Sequence, residues 1–329
     1  MKILIIKLGA LGDVINTLPA VIRIKHHFHA KIHWLVAPLS LPMVLDHPAV
    51  DHTIVFDRNE KLGLTKTLGI LRQDRYDLTI DFQRTLKSGF FCMAARTGQR
   101  LGFDKKRCKE LTWLFPFTRI SPDDPGKHML EQYLDFCDHL KIPESPIEWS
   151  IAVHPFSKVA LPRSYVVLNI GATKKANLWD TEKFAILADL IQQELGMKTV
   201  ITGGPEDVDR GKMVATQATG KVINLTGKTT LWELTGILSH AQGVVSCDTG
   251  PMHLAVALGT PTIALFGPST PRRTGPYAGK VIMASTDCSP CNRRECAHPL
   301  CMDRIDPKTV YEHIARHRFL GVGSKSGHF

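Results

Sequence analysis

Residues 246–253, Ser-Cys-Asp-Thr-Gly-Pro-Met-His, join one apolar run, Gly243-Val244-Val245, to another, Leu254 to Leu258, through a polar corner that contains glycine. A corner that opens a helix leaves backbone N–H groups pointing outward. The helix dipole adds partial positive charge at the same spot, so phosphate is the natural guest. Asp248, Thr249 and His253 add side chains able to orient a nucleotide, and the other reading of Asp248 is a helix N-cap. A second glycine turn stands near the start, where Gly12 precedes Asp13. Its glycines let a ligand approach the backbone, and the Asp13 carboxylate either projects there as a general base or caps the helix that follows. Gln83 to Ser88 follow the candidate strand Leu78 to Phe82. Arg84 and Lys87 in that stretch suit the carboxylates and phosphates of an acidic acceptor, or are ordinary exposed cations at a helix start.

Cys288, Cys291, Cys296 and Cys301 form C-x2-C-x4-C-x4-C in a stretch that also holds Pro290 and Pro299. Four thiolates that close together can surround one tetrahedral ion, a structural zinc or a rubredoxin-like iron, with no position left open for substrate. His298 is an alternative ligand, and a chance group of simple thiols is the alternative reading. Cys92, Cys108, Cys137 and Cys247 are scattered and read as buried or incidental thiols rather than a disulfide framework. The D-x-D element Asp207-Val208-Asp209 follows Gly203-Gly204-Pro205-Glu206 and reads as acidic residues in a helix's first turn. No catalytic metal is therefore expected. His26, His27 and His29 close the first helix, where cations complement the dipole.

These residues need a scaffold that places strand-to-helix corners side by side. Lys2 to Lys7, Lys31 to Ala37, Thr53 to Phe56 and Leu78 to Phe82 read as strands, and Asp13 to His27 as an amphipathic helix kinked or restarted near Pro19. The pattern restarts after the proline-bearing stretch 150–163, a candidate linker. Tyr165 to Ile170, Lys198 to Thr202, Val222 to Leu225, Gly243 to Ser246 and Thr262 to Phe266 are strands there, with helices such as Thr181 to Leu195 between them. Alternation of this kind implies parallel sheets covered on both faces, with ligands beyond the carboxyl ends of the strands. The expected fold class is α/β, with two Rossmann-like doubly wound domains, 1–155 and 156–329, facing each other across a cleft.

The chain has 329 residues, enough for two cores, and its 43% hydrophobic and 22% charged composition is that of a globular protein. No apolar run reaches about 18 residues, so a cytoplasmic protein is expected. A net charge of +10 favours an anionic partner. The densest basic stretch, 96–109, interrupts the apolar pattern and reads as a solvated surface loop. Residues 321–329 read as a frayed tail.

Three segments, Lys7 to Val14, Asp248 to His253 and Ala264 to Thr270, resemble in order those of the lipopolysaccharide core heptosyltransferases, glycosyltransferase family 9. The resemblance covers nearly the whole chain. It implies the GT-B fold, an N-terminal acceptor-binding domain and a C-terminal nucleotide-sugar-binding domain. It also implies inverting transfer of heptose from ADP-heptose to the lipopolysaccharide inner core, either Kdo-lipid A or a heptosyl acceptor. Asp13 is then the catalytic base, and Asp248, Thr249, Gly250 and His253 contact the donor. The family usually places a Lys two residues before a Trp, where it meets the donor's phosphates. Here Asn177 precedes Trp179, and Thr173, Lys174 and Lys175 are the donor-binding candidates in its place. For the acceptor the resemblance favours Lys87, beside Arg84. Some members carry a cysteine metal finger where this chain has Cys288 to Cys301. The expected location is cytoplasmic, peripheral to the cytoplasmic face of the inner membrane. Two other readings are a transferase using another nucleotide sugar or a protein acceptor, and a nucleic-acid-binding protein with a zinc knuckle. The last is suggested by the charge and Arg293-Arg294, but the knuckle lacks base-stacking aromatics, so no nucleic-acid partner is expected.

Overall fold

The computed structural model describes residues 1–316, so the tail expected at 321–329 lies outside the described residues. The chain divides into two compact units, Met1–Ala152 and Val153 onward, and the boundary falls inside the expected linker.

The first unit runs β1 (Lys2–Ile6), α1 (Leu11–Phe28), β2 (Lys31–Val36), β3 (His52–Val55), α2 (Gly63–Gln73), β4 (Arg75–Asp81), α3 (Leu86–Ala94), β5 (Arg96–Gly102), β6 (Thr118–Arg119) and α4 (Met129–His139). Its strands form one parallel sheet in the order β3-β2-β1-β4-β5-β6. Ile3 to Ile6 are all buried, as expected of a central strand covered on both faces. Helix α1 turns Val14, Ile15, Leu18, Val21 and Ile22 inward, passes through Pro19 as one helix, and carries His26 and His27 in its last turn.

The basic stretch departs from the sequence expectation. Arg96–Gly102 is strand β5, paired on one side with β4 and on the other with the two-residue β6. It lies near the sheet's edge, so its polar side chains remain solvated while backbone pairing decides its conformation. Arg107 is buried, and its guanidinium bonds Asp104, Asp135 and the Ser121 carbonyl. Charge density in the sequence did not distinguish a solvated lysine from an arginine buried with two carboxylates.

The second unit contains β7 (Tyr165–Asn169), α5 (Thr181–Leu195), β8 (Lys198–Thr202), α6 (Val208–Gln217), β9 (Val222–Asn224), α7 (Leu231–His240), β10 (Gly243–Cys247), α8 (Gly250–Ala257), β11 (Thr262–Phe266), α9 (Pro271–Thr274), β12 (Lys280–Met283), α10 (Leu300–Asp303) and α11 (Pro307–Arg316). The parallel order is β12-β11-β10-β7-β8-β9, the same doubly wound order as in the first unit. In each sheet the order reverses beside the first strand, between β1 and β4 and between β7 and β10. That is where such sheets open a crevice at their carboxyl ends. Trp179 is wholly buried against Phe184, and its indole N–H donates to the Ile305 carbonyl at 3.1 Å. Asp207 accepts from the Gly204 N–H at 2.8 Å and shapes the turn into α6, while Asp209 lies in that helix's first turn.

Candidate active site

In the first unit the corners after β1 and β4 adjoin. The Gln83 side-chain oxygen accepts from the N–H groups of Leu8 (3.0 Å) and Gly9 (3.2 Å), tying the two turns together. Buried Asp81, which ends β4, shapes its own turn. It accepts from the backbone of Gln83 (2.9 Å) and Arg84 (3.2 Å) and from the Ser88 hydroxyl (3.1 Å). Burial pushes the Asp81 carboxyl up, against those hydrogen bonds.

Asp13 is not the cap of α1. The N-cap is Ala10, without a side-chain bond, and Asp13 stands in the first turn with its side chain one-third exposed. Beneath it lies Lys7, wholly buried at the end of β1. Its ammonium donates to the Tyr133 hydroxyl at 2.8 Å and to the Phe82 carbonyl at 3.3 Å, and lies 3.5 Å from one Asp13 oxygen. The Tyr133 hydroxyl donates to the other Asp13 oxygen at 3.2 Å. Burial lowers the Lys7 pKa to about 8, with nearby Arg84 and Lys109 acting the same way and Asp13 opposing them. A carboxylate held by a buried cation and a phenol while one face meets solvent is suited to accept a proton.

Arg84 and Lys87, paired in the sequence, are separated by the fold. Arg84 is buried at the turn, with its guanidinium 4.6 Å from the Phe103 ring and donating to the Arg107 carbonyl at 3.2 Å. Lys87 is exposed in the first turn of α3, 5.2 Å from the Phe56 ring. An arginine at a positive-φ turn can fold back over the sheet, which local sequence did not signal.

In the second unit Thr249, not Asp248, is the N-cap of α8, and no side chain caps that helix. Pro251 supplies no N–H, so the N–H groups of Thr249 and Gly250 are the ones the corner presents. Asn177, buried in the turn after β7, donates to Asp248 at 3.1 Å and to the Ser269 hydroxyl at 3.1 Å. The Lys174 ammonium donates to the same hydroxyl at 3.4 Å. The fold thus gathers Lys174, Asn177, Asp248 and Ser269 from three separate turns. His253 is buried on α8, and Thr173 is exposed beside Lys174. Lys175 points into solvent, 3.8 Å from Glu295. Sequence reading missed Ser269 as a member of this group, although it lies within the quoted segment Ala264 to Thr270.

Of the metal candidates, Cys288, Cys291 and Cys296 are exposed and Cys301 is buried. Burial raises the Cys301 thiol, and Cys288 and Cys291 lie near enough to raise it further. Among the described residues no three such side chains are gathered closely enough to hold an ion. The thiolate set has the right chemistry, but its arrangement is not that of a coordination site. The loop also braces the corner formed by Asn177, Asp248 and Ser269: the Asn292 N–H donates to the Pro268 carbonyl (2.7 Å) and the Ala176 N–H to the Arg294 carbonyl (3.1 Å). Cys92, Cys137 and Cys247 are buried as expected, and Cys108 is half-buried.

The match to known proteins has the same extent as this architecture. The chain is 27% identical to lipopolysaccharide heptosyltransferase 1 of Pseudomonas aeruginosa, over 94% of this chain and 96% of that protein. The solved structure of a family 9 glycosyl transferase from Veillonella parvula superposes with a TM-score of 0.82 at 22% identity, covering 98% of this chain and 97% of that one. The structure of E. coli heptosyltransferase WaaC with ADP superposes with a TM-score of 0.79 at 25% identity, covering 96% and 99%. The model of glycosyltransferase family 9 (heptosyltransferase) matches residues 65–301, which include Lys87, the three turns bearing Asn177, Asp248 and Ser269, and all four clustered cysteines. With that match over most of its length and two doubly wound sheets bearing the expected corners, the chain belongs to glycosyltransferase family 9, the heptosyltransferases.

Proposed function

We propose that this protein transfers heptose from ADP-heptose to the inner core of lipopolysaccharide, with inversion at the anomeric carbon. The observation that carries the reading is the pair of corner carboxylates, Asp13 and Asp248, neither of which caps its helix. The solved WaaC structure holding ADP supports the choice of nucleotide.

In this mechanism Asp13 takes the proton of the attacking acceptor hydroxyl, while Tyr133 and Lys7 hold its carboxylate in place. The new bond forms as the bond from the anomeric carbon to the diphosphate oxygen breaks. The leaving diphosphate is stabilised by the N–H groups that open α8 and by Lys174, so the step runs without a catalytic metal. Asp248, Thr249, Gly250 and His253 bind the rest of the donor, with Thr173 and Lys175 at the edge of that corner. Lys87, exposed where Arg84 is buried, meets the acidic acceptor. On this reading 1–155 binds the acceptor and 156–329 the nucleotide sugar. The protein works at the cytoplasmic face of the inner membrane as a peripheral protein, in keeping with the lack of any membrane-spanning helix among the described residues.

We also propose that Cys288, Cys291, Cys296 and Cys301 hold one structural zinc or iron. The C-x2-C-x4-C-x4-C spacing supports this reading, and coordination requires the four thiols to be drawn closer together than they stand among the described residues. The test of function is incubation of the purified protein with ADP-heptose and a Kdo-lipid A acceptor, with UDP- and GDP-sugars as parallel donors. ADP release with a heptose added to the acceptor is expected. Turnover with only a UDP- or GDP-sugar would replace this assignment.

A further inference from the structure

Of the eighteen large apolar side chains exposed among the described residues, eight fall within residues 62–114. That concentration is not the scatter of an ordinary surface. Leu62 and Leu64 open α2, and Leu86, Phe90 and Met93 lie at helical spacing on α3. These side chains line a groove of about 1000 Å3. The Phe90 ring meets Phe115 edge-on at 5.4 Å, next to the loop that exposes Leu111, Trp113 and Leu114.

The charge around this face is positive toward solvent. Arg58, Lys61 and Arg72 line the groove and have no ion-pair partner among the described residues. Its acids, Asp57, Glu60 and Glu110, are outnumbered by the cations that line it, Arg58, Lys61, Arg72 and Lys87. Glu60 pairs with Lys66 at 3.1 Å, Glu110 accepts from the Leu86 N–H at 2.9 Å, and Asp57 accepts from the Asn59 N–H at 2.8 Å. Lys105 sits 4.3 Å above the Trp113 ring, an aromatic and cation pair at the patch's rim.

We propose that this face docks the protein on an anionic lipid bilayer. Apolar side chains enter the boundary of the acyl region, Trp113 lies at the headgroup level, and the lysines and arginines meet lipid phosphates. A second copy of the chain is a poorer occupant, because a self-complementary contact would set these cations against one another. Lys109, from the loop that exposes Leu111, Trp113 and Leu114, acts electrostatically on Lys7 at the Asp13 corner. Docking would present a membrane-borne acceptor there; this purpose, though not the docking itself, rests on the transferase reading above.

Sedimentation of the full-length protein with phosphatidylethanolamine–phosphatidylglycerol vesicles, against pure phosphatidylcholine, tests the proposal. The wild type should partition at least tenfold better onto the anionic vesicles. The double variants Phe90→Ser/Leu114→Ser and Arg58→Glu/Lys61→Glu should each lose at least tenfold, with ADP affinity and melting temperature retained. Absence of vesicle binding, or variants that bind like the wild type, would overturn it. So would a wild-type dimer that Phe90→Ser dissociates with no vesicle binding, which would make the face a contact between copies. Transfer to a soluble deacylated acceptor is measured in parallel. Transfer without vesicle binding defeats only the docking, and vesicle binding without transfer defeats only the transferase assignment.

Discussion

Lys7 follows a strand that is apolar after Lys2, and its burial becomes intelligible once Asp13 and Tyr133 are seen around its ammonium. The lysine holds the Asp13 carboxylate at a cost. The fall from 10.5 to about 8 corresponds to about 3 kcal/mol of penalty on the charged form in the folded state. The unfolded chain binds that proton more tightly, so the penalty is complete below about pH 8 and is relieved as pH rises toward 10.5. Lys7→Met should therefore be at least as stable as the wild type at pH 7, and its advantage should shrink between pH 8 and 10.5 in melting curves of the two proteins. Its kcat should fall about tenfold or more, with ADP affinity unchanged, because the base loses its support rather than the donor its pocket. Unchanged kcat would make Lys7 a packing residue. Lys7 was visible in the sequence as part of the motif around Asp13. Tyr133 was not, because it reaches the site from α4 and no local pattern links it to β1.

At the scale of elements, the corners themselves were legible from the sequence. Short β-branched runs meeting glycine and then a 3.6-residue period identify strand-to-helix turns. What those turns do to individual side chains was less legible. Asp81 looks in sequence like one more strand residue, yet it accepts three hydrogen bonds that set the β4–α3 turn. Asp81→Ala should cost about 3 kcal/mol in urea unfolding, since two backbone N–H groups and a hydroxyl lose a buried acceptor. Asn177 was noticed only as a departure from a family pattern. The structure gives it a task, holding Asp248 and Ser269 together across three turns. Asn177→Ala should weaken ADP binding about tenfold in calorimetry, and Asn177→Asp more, because it sets a second carboxylate against Asp248. Equal affinity in both variants would show that this bridge does not shape the nucleotide corner.

For the whole molecule, the same strand order in both units explains why the sequence pattern restarts after residue 150 and why both candidate corners lie at order reversals. Composition suggested an anionic partner, but it misread the stretch 96–109, where pairing with β4 and burial of Arg107 override a polar sequence. The cysteine loop remains a compositional expectation, because its thiols are not gathered in the described structure. Elemental analysis of untagged protein should find about one zinc or iron per chain, and Cys291→Ser/Cys296→Ser should lower the melting temperature. Metal-free protein with all four thiols freely titratable would remove that site. Transfer itself should survive EDTA under conditions that leave the loop's ion in place, because the leaving diphosphate is assigned to N–H groups and Lys174. The central claim is that Asp13 is the base of an inverting heptose transfer. The most direct measurement compares turnover of wild type and Asp13→Asn with ADP-heptose and a Kdo-lipid A acceptor, reading the product's anomeric configuration by NMR. The account predicts an inverted linkage from the wild type and a loss of about a hundredfold to ten-thousandfold in the variant, with ADP affinity intact. Near-normal turnover by Asp13→Asn, or a product of retained configuration, would contradict it.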